Sequence, residues 1–309
     1  MKHINFFKIF ILIFLIQAAI SGCSKKEKID ITAYQKEIEQ WRNKREEGLK
    51  KENGWLTLCG LFWLKDGENK MGTDSSNAII FPPGKAPKYA GSIYLRNGEL
   101  LLKTNKESNI KWKDSLVTMM KLKSDEMGAG QPTILSLRTL TFYVIKRGDQ
   151  LGVRVKDNEN PARMNFKGLE YYPINPEWRI NAKFKPYNPP KILPIVNILN
   201  QVNNDTCPGA IVFKIKGKEY QLDALRETGA NELFIIFSDE TSGKETYGMG
   251  RYLSAALPDS ANNVITDFNK AYNPPCAFTI YATCPVPPKQ NHLPIRVEAG
   301  EKKYTGSEH

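Results

Sequence analysis

The densest group of residues with chemical potential lies between positions 239 and 301. Arg251 follows a loop rich in glycine, a residue that lets the backbone turn tightly and approach a ligand closely. Its planar guanidinium is suited to bind a carboxylate or a phosphate through two parallel hydrogen bonds. We therefore predict a binding site for a small polar or anionic ligand in this segment.

Polar and aromatic neighbours extend this candidate site. Strand alternation places Asp267 and Asn269 on one face and Phe268 on the other. With Tyr272 and Asn273 they form a cluster that can hydrogen-bond a sugar, an amide or a carboxylate. The predicted ligand-binding residues are Asp239, Tyr247, Arg251, Asp267, Asn269, Tyr272 and Asn273.

These residues also have an ordinary structural interpretation. Arg251 can pair with Asp239 or Asp267 and so hold its loop in place. The Asx side chains ahead of Pro274 can instead bond local backbone amides in a turn. Convergence of segments 239–251 and 267–276 on one concave surface would favour the ligand site, because recognition groups must meet to hold one ligand.

Cysteine and histidine usage defines the alternative functions. Cys276 and Cys284 are eight residues apart, so in an exported protein they either form a disulfide or remain as two buried thiols. A hydrolase is one alternative, and it would use an acid–base pair or the Cys276 thiol with His292 as its base. The candidate acid–base residues are Asp239, Asp267, Glu301 and His292. A structural protein of the envelope is the other alternative.

The sequence predicts neither a metal ion nor a cofactor. Of the three histidines, His3 lies in the predicted signal and His309 ends the chain, which excludes a histidine triad for a metal. The cysteines have no zinc-site spacing, and no glycine-rich phosphate loop stands between a strand and a helix.

The first 22 residues have the features of a lipoprotein export signal. Their apolar run, residues 9–20, is shorter than the roughly 20 residues of a membrane-spanning helix, and it ends just before Cys23. The segment resembles the signals of bacterial lipoproteins, in which that cysteine carries lipid. We therefore predict a signal peptide over 1–22, lipidation at Cys23 and a polar tether over 23–29. Ser24 favours the outer membrane of the cell envelope.

We expect the positive charge of the chain to be attracted to the membrane surface rather than to a nucleic acid. The formal charge is +11, but the lysines are scattered and form no single basic stripe. An exported, lipidated protein is not expected to bind nucleic acid, so anionic lipid or acidic glycan is the predicted partner of this charge.

Residues 30–52 predict one amphipathic helix, with Tyr34, Ile38 and Trp41 at three- and four-residue spacing. Asn53-Gly54 is suited to end it. Because its charged face mixes both signs, we expect the helix to dock on its own protein rather than on a membrane.

Beyond the helix the chain predicts short strands and hairpins, with Asn97-Gly98 as the strongest turn signal. The prolines of segment 185–194 argue against a central strand there. The predicted fold class is therefore mainly β. The N-terminal helix precedes a β-sandwich-like domain over 53–157 and a second β-rich domain, a barrel or a sandwich, over 158–309.

The run from Asn69 to Pro82, with Gly72 at a strand end, resembles the opening of forkhead-associated domains, which are β-sandwiches. The resemblance covers roughly residues 66–105. In that family an arginine typically follows the glycine, and a later serine and histidine support phosphothreonine recognition. Thr73 stands at the arginine position here, and Lys88-Tyr89-Ala90 supplies no serine–histidine pair. The resemblance implies the scaffold without these binding residues.

Four further motifs resemble a family known as domain of unknown function 1684. They are Trp55-Leu-Thr-Leu-Cys-Gly-Leu-Phe-Trp-Leu, Thr246-Tyr-Gly-Met-Gly-Arg-Tyr-Leu, Asp267-Phe-Asn-Lys-Ala-Tyr-Asn-Pro-Pro-Cys and Glu298-Ala-Gly-Glu-Lys. The resemblance covers about residues 40–302. It implies membership of the family and no particular activity, cofactor or catalytic residue.

Overall fold

The computed structural model describes residues 30–126 and 130–306. The predicted signal peptide, the tether and Cys23 lie outside these residues. No helix of the described part combines the length and the apolar character that a membrane span requires.

The chain begins with one long helix, α1 (Ile31–Lys50), and Asp30 caps its start by accepting the amide hydrogens of Thr32 and Ala33. Tyr34, Ile38 and Leu49 are buried, so the apolar face of the helix packs against the rest of the protein. This confirms the prediction that the helix docks on its own chain.

Two sheets follow and form a sandwich, and all their strand pairs are antiparallel except one in the first sheet, where Met71 and Gly72 pair in parallel with Ile79 and Ile80. The first has the order β3-β2-β4-β5-β8 and the second the order β1-β11-β10-β9-β6-β7. The strands are β1 (Leu58–Trp63), β2 (Gly67–Gly72), β3 (Ile79–Ile80), β4 (Gly91–Arg96), β5 (Glu99–Thr104), β6 (Lys111–Trp112), β7 (Ser115–Leu116), β8 (Met119–Lys121), β9 (Leu135–Leu137), β10 (Leu140–Arg147) and β11 (Gln150–Asp157). Side chains from both sheets, among them Ile93 and Val153, share one buried core.

A short helix, α2 (Pro161–Met164), leads into the C-terminal part, which holds two more sheets. Their orders are β14-β13-β12-β17 and β16-β15-β18. The strands are β12 (Arg179–Val196), β13 (Val202–Ile215), β14 (Lys218–Ala224), β15 (Glu232–Asp239), β16 (Arg251–Ala256), β17 (Asn263–Asp267) and β18 (His292–Leu293). Phe213, Phe237 and Phe268 lie in the core between them. The protein is thus mainly β, as the sequence predicts.

The proline-rich segment 185–194 is part of strand β12. Strand β17 pairs with β12 only from Arg179 to Lys183, so the prolines lie where β12 has a single neighbour, β13. A register irregularity between Pro186 and Lys191 interrupts even that pairing. The prolines therefore lie in a stretch of β12 that is an edge of the sheet, the position to which proline is largely confined in sheets.

A further buried cluster joins the two parts of the protein. Leu58, at the start of β1, packs with C-terminal residues that include Ile236, Tyr252 and Cys284, and Trp55 packs against the same cluster. The outer face of the second sandwich sheet therefore contacts the C-terminal part, which buries Arg154 on that face and leaves Lys156 partly exposed.

Candidate functional site

Arg251 forms a buried ion pair with Asp239. Its side chain is 1% exposed, and its Nη2 atom lies 2.8 Å from Asp239 Oδ2. The same guanidinium donates to the backbone carbonyls of Ala299 and Val297, the latter at 2.9 Å. Asp239 also accepts the Val297 amide hydrogen at 3.1 Å. Of the two interpretations of Arg251, the structural one is observed, because the pair fixes the C-terminal segment.

Asp267 and Asn269 form a second buried network with the helix. The Tyr34 hydroxyl lies 2.9 Å from Asp267 Oδ1, and Asn269 Nδ2 donates to the Tyr34 oxygen at 2.8 Å. Asp267 also accepts the Asn269 amide hydrogen at 3.0 Å, as in the predicted Asx turn. Burial raises the pKa of Asp267 above its ordinary value, with the hydrogen bonds from Asn269 and Tyr34 opposing this effect.

Asn273 belongs to a third buried network, centred on Glu301. Glu301 accepts from Arg45 Nε at 2.8 Å and from the Asn273 amide at 2.7 Å. Burial raises the pKa of Glu301, and Arg45 opposes this effect. The expected concave surface made by Arg251, Asp267 and their polar neighbours is therefore not observed. Internal partners surround these side chains because they attach the helix and the C-terminal segment to the sheets.

An open cavity system lies next to these networks, and we call it the aromatic cleft. It consists of two adjoining cavities of about 420 and 480 Å³, which share Trp55, Phe234, Tyr252 and Pro275 as walls. Phe234 and Tyr252 meet edge to face, with ring centroids 4.9 Å apart. Of the predicted site residues, Tyr272 lines the smaller cavity, and Tyr247 packs partly buried in the adjacent cluster.

Positive side chains flank the aromatic walls. The smaller cavity is lined by Lys44 and Arg45 of helix α1, and the Arg45 guanidinium lies 4.8 Å from the centre of the Tyr272 ring. The larger cavity is lined by Arg147, Arg154 and Arg226, together with Asp205 and Glu227.

Arg154 is the exceptional residue of the cleft. It lies in β11, where its neighbours across the sheet are Leu61 and Tyr143, and it is 4% exposed. Its side chain has one long hydrogen bond, from Nη1 to the Tyr143 hydroxyl at 3.4 Å, and its Nε has no partner. No carboxylate of the described residues forms an ion pair with it. The central carbon of its guanidinium lies 5.3 Å from the centre of the Trp55 ring, within the range of a cation–π interaction.

The lowered pKa of Lys156 reflects the positive potential around Arg154. The two residues share one face of β11 because strand side chains alternate. Burial, and then repulsion by Arg154, lowers the pKa of Lys156 to about 8. Its ammonium group donates to the Asn53 carbonyl, which carries no formal charge to offset it. This wall of the protein therefore concentrates positive charge without a matching anion.

The thiols give no support to a cysteine nucleophile. Cys276 and Cys284 are joined in a disulfide, which is one of the two predicted outcomes. Burial raises the pKa of Cys59 to about 12 and that of Cys207 to about 11. Neither thiol therefore forms the reactive thiolate at neutral pH.

His292 lies on an open surface away from the cleft. Its Nδ1 atom is 3.1 Å from Ser238 Oγ, and its Nε2 atom is 3.4 Å from Glu240 Oε1. These are the residue types of a nucleophile and its base. His292 lines neither cavity of the aromatic cleft, so no enclosed volume there excludes water from the group. Within residues 30–126 and 130–306, no group of three or more metal-ligating side chains is found.

The sequence does not predict Arg154 and Trp55 as site residues. Arg154 alternates with Val153 and Val155 in a predicted strand, which is typical of a solvated position on the outside of a sandwich. Its burial depends on the C-terminal part covering that face, and alternation carries no information about such a long-range contact. In the sequence, Trp55 stands out only as part of the family motif.

Two solved structures are similar to parts of this chain. An uncharacterised protein of Haloarcula marismortui is 29% identical with a TM-score of 0.40, over 48% of this chain and 81% of that protein. A forkhead-associated domain, from a study of phosphothreonine-dependent interactions, is 14% identical with a TM-score of 0.22, over 31% of this chain and 92% of the domain. The latter likeness is weak.

No curated protein matches the chain. The family model described as "Protein of unknown function (DUF1684)" matches residues 164–302. That range includes three of the four quoted motifs, the Arg251–Asp239 pair and the C-terminal walls of the aromatic cleft, whereas Trp55 and Arg154 precede it. The predicted resemblance to this family is thus confirmed over residues 164–302, a shorter range than the predicted 40–302.

Proposed function

We propose that the protein binds a small anionic ligand in the aromatic cleft while a lipid on Cys23 holds it at the cell envelope. The observation that carries the binding proposal is that Arg154 is buried without a counterion and that its Nε has no hydrogen-bond acceptor. A buried charge without a counterion is unfavourable by several kcal/mol, and an arginine has five donors to satisfy. An anion in the larger cavity would supply both the charge and the acceptors.

The walls of the cleft define the rest of the ligand. Trp55, Phe234 and Tyr252 offer flat apolar surfaces, and such surfaces take up apolar or ring-shaped groups. Cavities of this size are typical of small-molecule sites, in which a few polar groups fix a mostly apolar ligand. A ligand with one anionic group and one apolar group fits this arrangement better than an inorganic ion.

Benzoate and its neutral analogue benzamide test the proposal, with calorimetric titration of the purified protein as the measurement. We expect benzoate to bind and benzamide to bind at least about tenfold more weakly, because the charge-assisted bond to Arg154 is worth roughly 1.5–3 kcal/mol. Arg154→Met should remove the preference. Arg96→Met is the matched control, because Arg96 is exposed on a distant hairpin and should leave binding unchanged. Equal binding of the two compounds to the unaltered protein would refute the proposal.

The anchor is supported by the short apolar run of residues 9–20, which Ser21, Gly22 and Cys23 follow, and by the nearby start of α1 at Ile31. Two acyl chains give stable attachment, because each buried methylene contributes about 0.8 kcal/mol. In cells, radiolabelled palmitate should be incorporated into the protein, and the labelled protein should sediment with the envelope fraction. Cys23→Ser should abolish both results. Labelling that persists in this variant would place the lipid elsewhere.

A further inference from the structure

We infer that the ligand of the aromatic cleft is a zwitterion, a free amino acid or short peptide whose carboxylate meets Arg154 and whose ammonium group meets Asp205. This inference rests on the proposed function and adds the second charge of the ligand. It follows from the way in which charges of both signs line the larger cavity without neutralising each other.

Asp205 is the negative counterpart of Arg154 in the cavity. It lies in β13, half-buried, and Glu227 lines the same cavity nearby. In the described part of the chain, neither carboxylate forms an ion pair, and neither accepts a side-chain hydrogen bond. Burial, and then repulsion by Glu227, raises the pKa of Asp205. A cation placed between these carboxylates would relieve both effects.

The other arginines of the cavity do not neutralise Asp205. Arg147 is held by Asp125 through two bonds of 3.0 Å each, and its Nε donates to the Thr283 hydroxyl. Arg226 is exposed and directs its Nε to the Ala230 carbonyl at 3.0 Å. Arg147 thus has a carboxylate partner, and Arg226 and Glu227 are exposed to solvent, which leaves Arg154 and Asp205 as the less exposed charges that line the cavity without an ion-pair partner.

Arg154 and Asp205 are not in contact with each other, although both line the same volume. An empty space between two opposite, uncompensated charges is complementary to a molecule that carries both charges in the reverse order. Amino acids and short peptides have this charge pattern. An apolar side chain would contact Trp55 and Phe234, so an aromatic or branched aliphatic residue fits best.

The dipeptide leucyl-phenylalanine tests the inference in four forms, measured by calorimetric titration of the whole protein. The free form is zwitterionic, the N-acetyl form anionic, the C-amide form cationic, and the doubly blocked form neutral. We expect the free form to bind at least about fivefold more tightly than the N-acetyl form, the gain of an ion pair at a partly exposed site. We expect both to bind more tightly than the two amides.

Asp205→Asn keeps the shape of the side chain and removes its charge. In this variant the free and N-acetyl forms should bind equally. Asp114→Asn is the matched control, because Asp114 is exposed in a distant turn whose left-handed backbone suits asparagine, and it should keep the fivefold preference.

The outcomes separate this inference from the proposed function. If the N-acetyl form binds as tightly as the free form and both need Arg154, the ligand is a simple anion and only the present inference fails. If none of the four forms binds, amino acids and short peptides are rejected as the ligand class. The proposed function is then tested by the benzoate titration alone. If Arg154→Met weakens no form that binds, the proposed function fails as well.

Discussion

Arg251 and Arg154 are both almost fully buried, and each guanidinium lies 5.3 Å from the centre of an aromatic ring, but their polar partners differ. Arg251 has a carboxylate at 2.8 Å and several backbone carbonyls as acceptors. Arg154 has one phenol at 3.4 Å and an aromatic ring. The first guanidinium is satisfied by its own chain, and the second is the group to which we propose that a ligand binds. Burial of a charged residue therefore identifies neither a structural nor a functional role until its partners are counted.

The same contrast separates the two regions that contain these residues. Around Arg251, the carboxylates Asp239 and Glu301 each accept several hydrogen bonds, and the region is closed. Around Arg154, the charges remain uncompensated and a cavity is open. The candidate site thus lies at the junction of the two parts of the protein, where neither part completes the hydrogen bonding of the other.

Removing the partner of Arg251 should have the largest effect on stability. Asp239→Ala leaves the guanidinium buried without its counterion, and such losses are about 3–5 kcal/mol. Urea unfolding, followed by tryptophan fluorescence, would measure the change in the free energy of unfolding. The double variant Asp239→Leu with Arg251→Met should recover most of it, because an apolar pair needs no counterion. A loss below about 1 kcal/mol in the single variant would show that the pair is not a structural support.

Removing the disulfide should have the next largest effect on stability, and it should also weaken binding in the aromatic cleft. Cys284 lines the cleft, and the bridge closes the short segment between Cys276 and Cys284. Replacing both cysteines by serine should lower the free energy of unfolding by about 2–3 kcal/mol, because the unfolded chain gains freedom. Benzoate should bind more weakly to this variant, because the wall formed by Cys284 and Pro285 is no longer held in place. Unchanged binding would show that the cleft does not need the bridge.

Replacing Arg154 itself should leave stability nearly unchanged. Arg154→Met removes a buried charge that has no counterion, so we expect a change between about zero and 1 kcal/mol in favour of the folded state. Urea unfolding of Arg154→Met beside Arg251→Met compares the two arginines directly. If both variants lose stability equally, Arg154 has an internal partner and the contrast between the regions is wrong.

The sequence predicts the parts of this protein that depend on local patterns. The spacing of Tyr34, Ile38 and Leu49 predicts the docked face of α1, and Asn97-Gly98 forms a hairpin turn in which both residues have positive φ. The Asx turn at Asp267 is also local. These features are fixed by residues within a few positions of each other, so a single sequence is sufficient to find them.

The site depends instead on contacts between distant segments. From the sequence, Asp239 and Asp267 are equally possible ion-pair partners of Arg251, and only the fold shows that Asp239 forms the pair. Arg154 looks like a solvated residue on a strand until the C-terminal part covers it. Residues with conspicuous chemistry are therefore found as internal supports, whereas the residue best placed for a ligand has no distinctive sequence context.

The smallest expected effect concerns Lys156, whose pKa is lowered to about 8. Below that pH the ammonium group adds to the positive potential of Arg154, and above it the attraction for an anion is reduced. Benzoate should therefore bind a few times more weakly at pH 9 than at pH 7, an effect of up to about 1 kcal/mol for a partly exposed charge.

The proton linkage of Lys156 gives this prediction a second measurement. A bound anion favours the charged lysine, so at pH 8 binding should take up a fraction of a proton, visible as a calorimetric enthalpy that depends on the buffer. Because the unfolded lysine, with a pKa of about 10.4, binds more protons between about pH 8 and pH 10, the free energy of unfolding of the unaltered protein should rise over this window relative to that of Lys156→Met. The comparison with this variant is needed because the raised pKa values of Cys59 and Cys207 lower the stability of both proteins over the same window. Lys156→Met should also abolish the proton uptake. If the uptake persists in this variant, another group titrates near the cleft, and the positive potential around Arg154 has a different source.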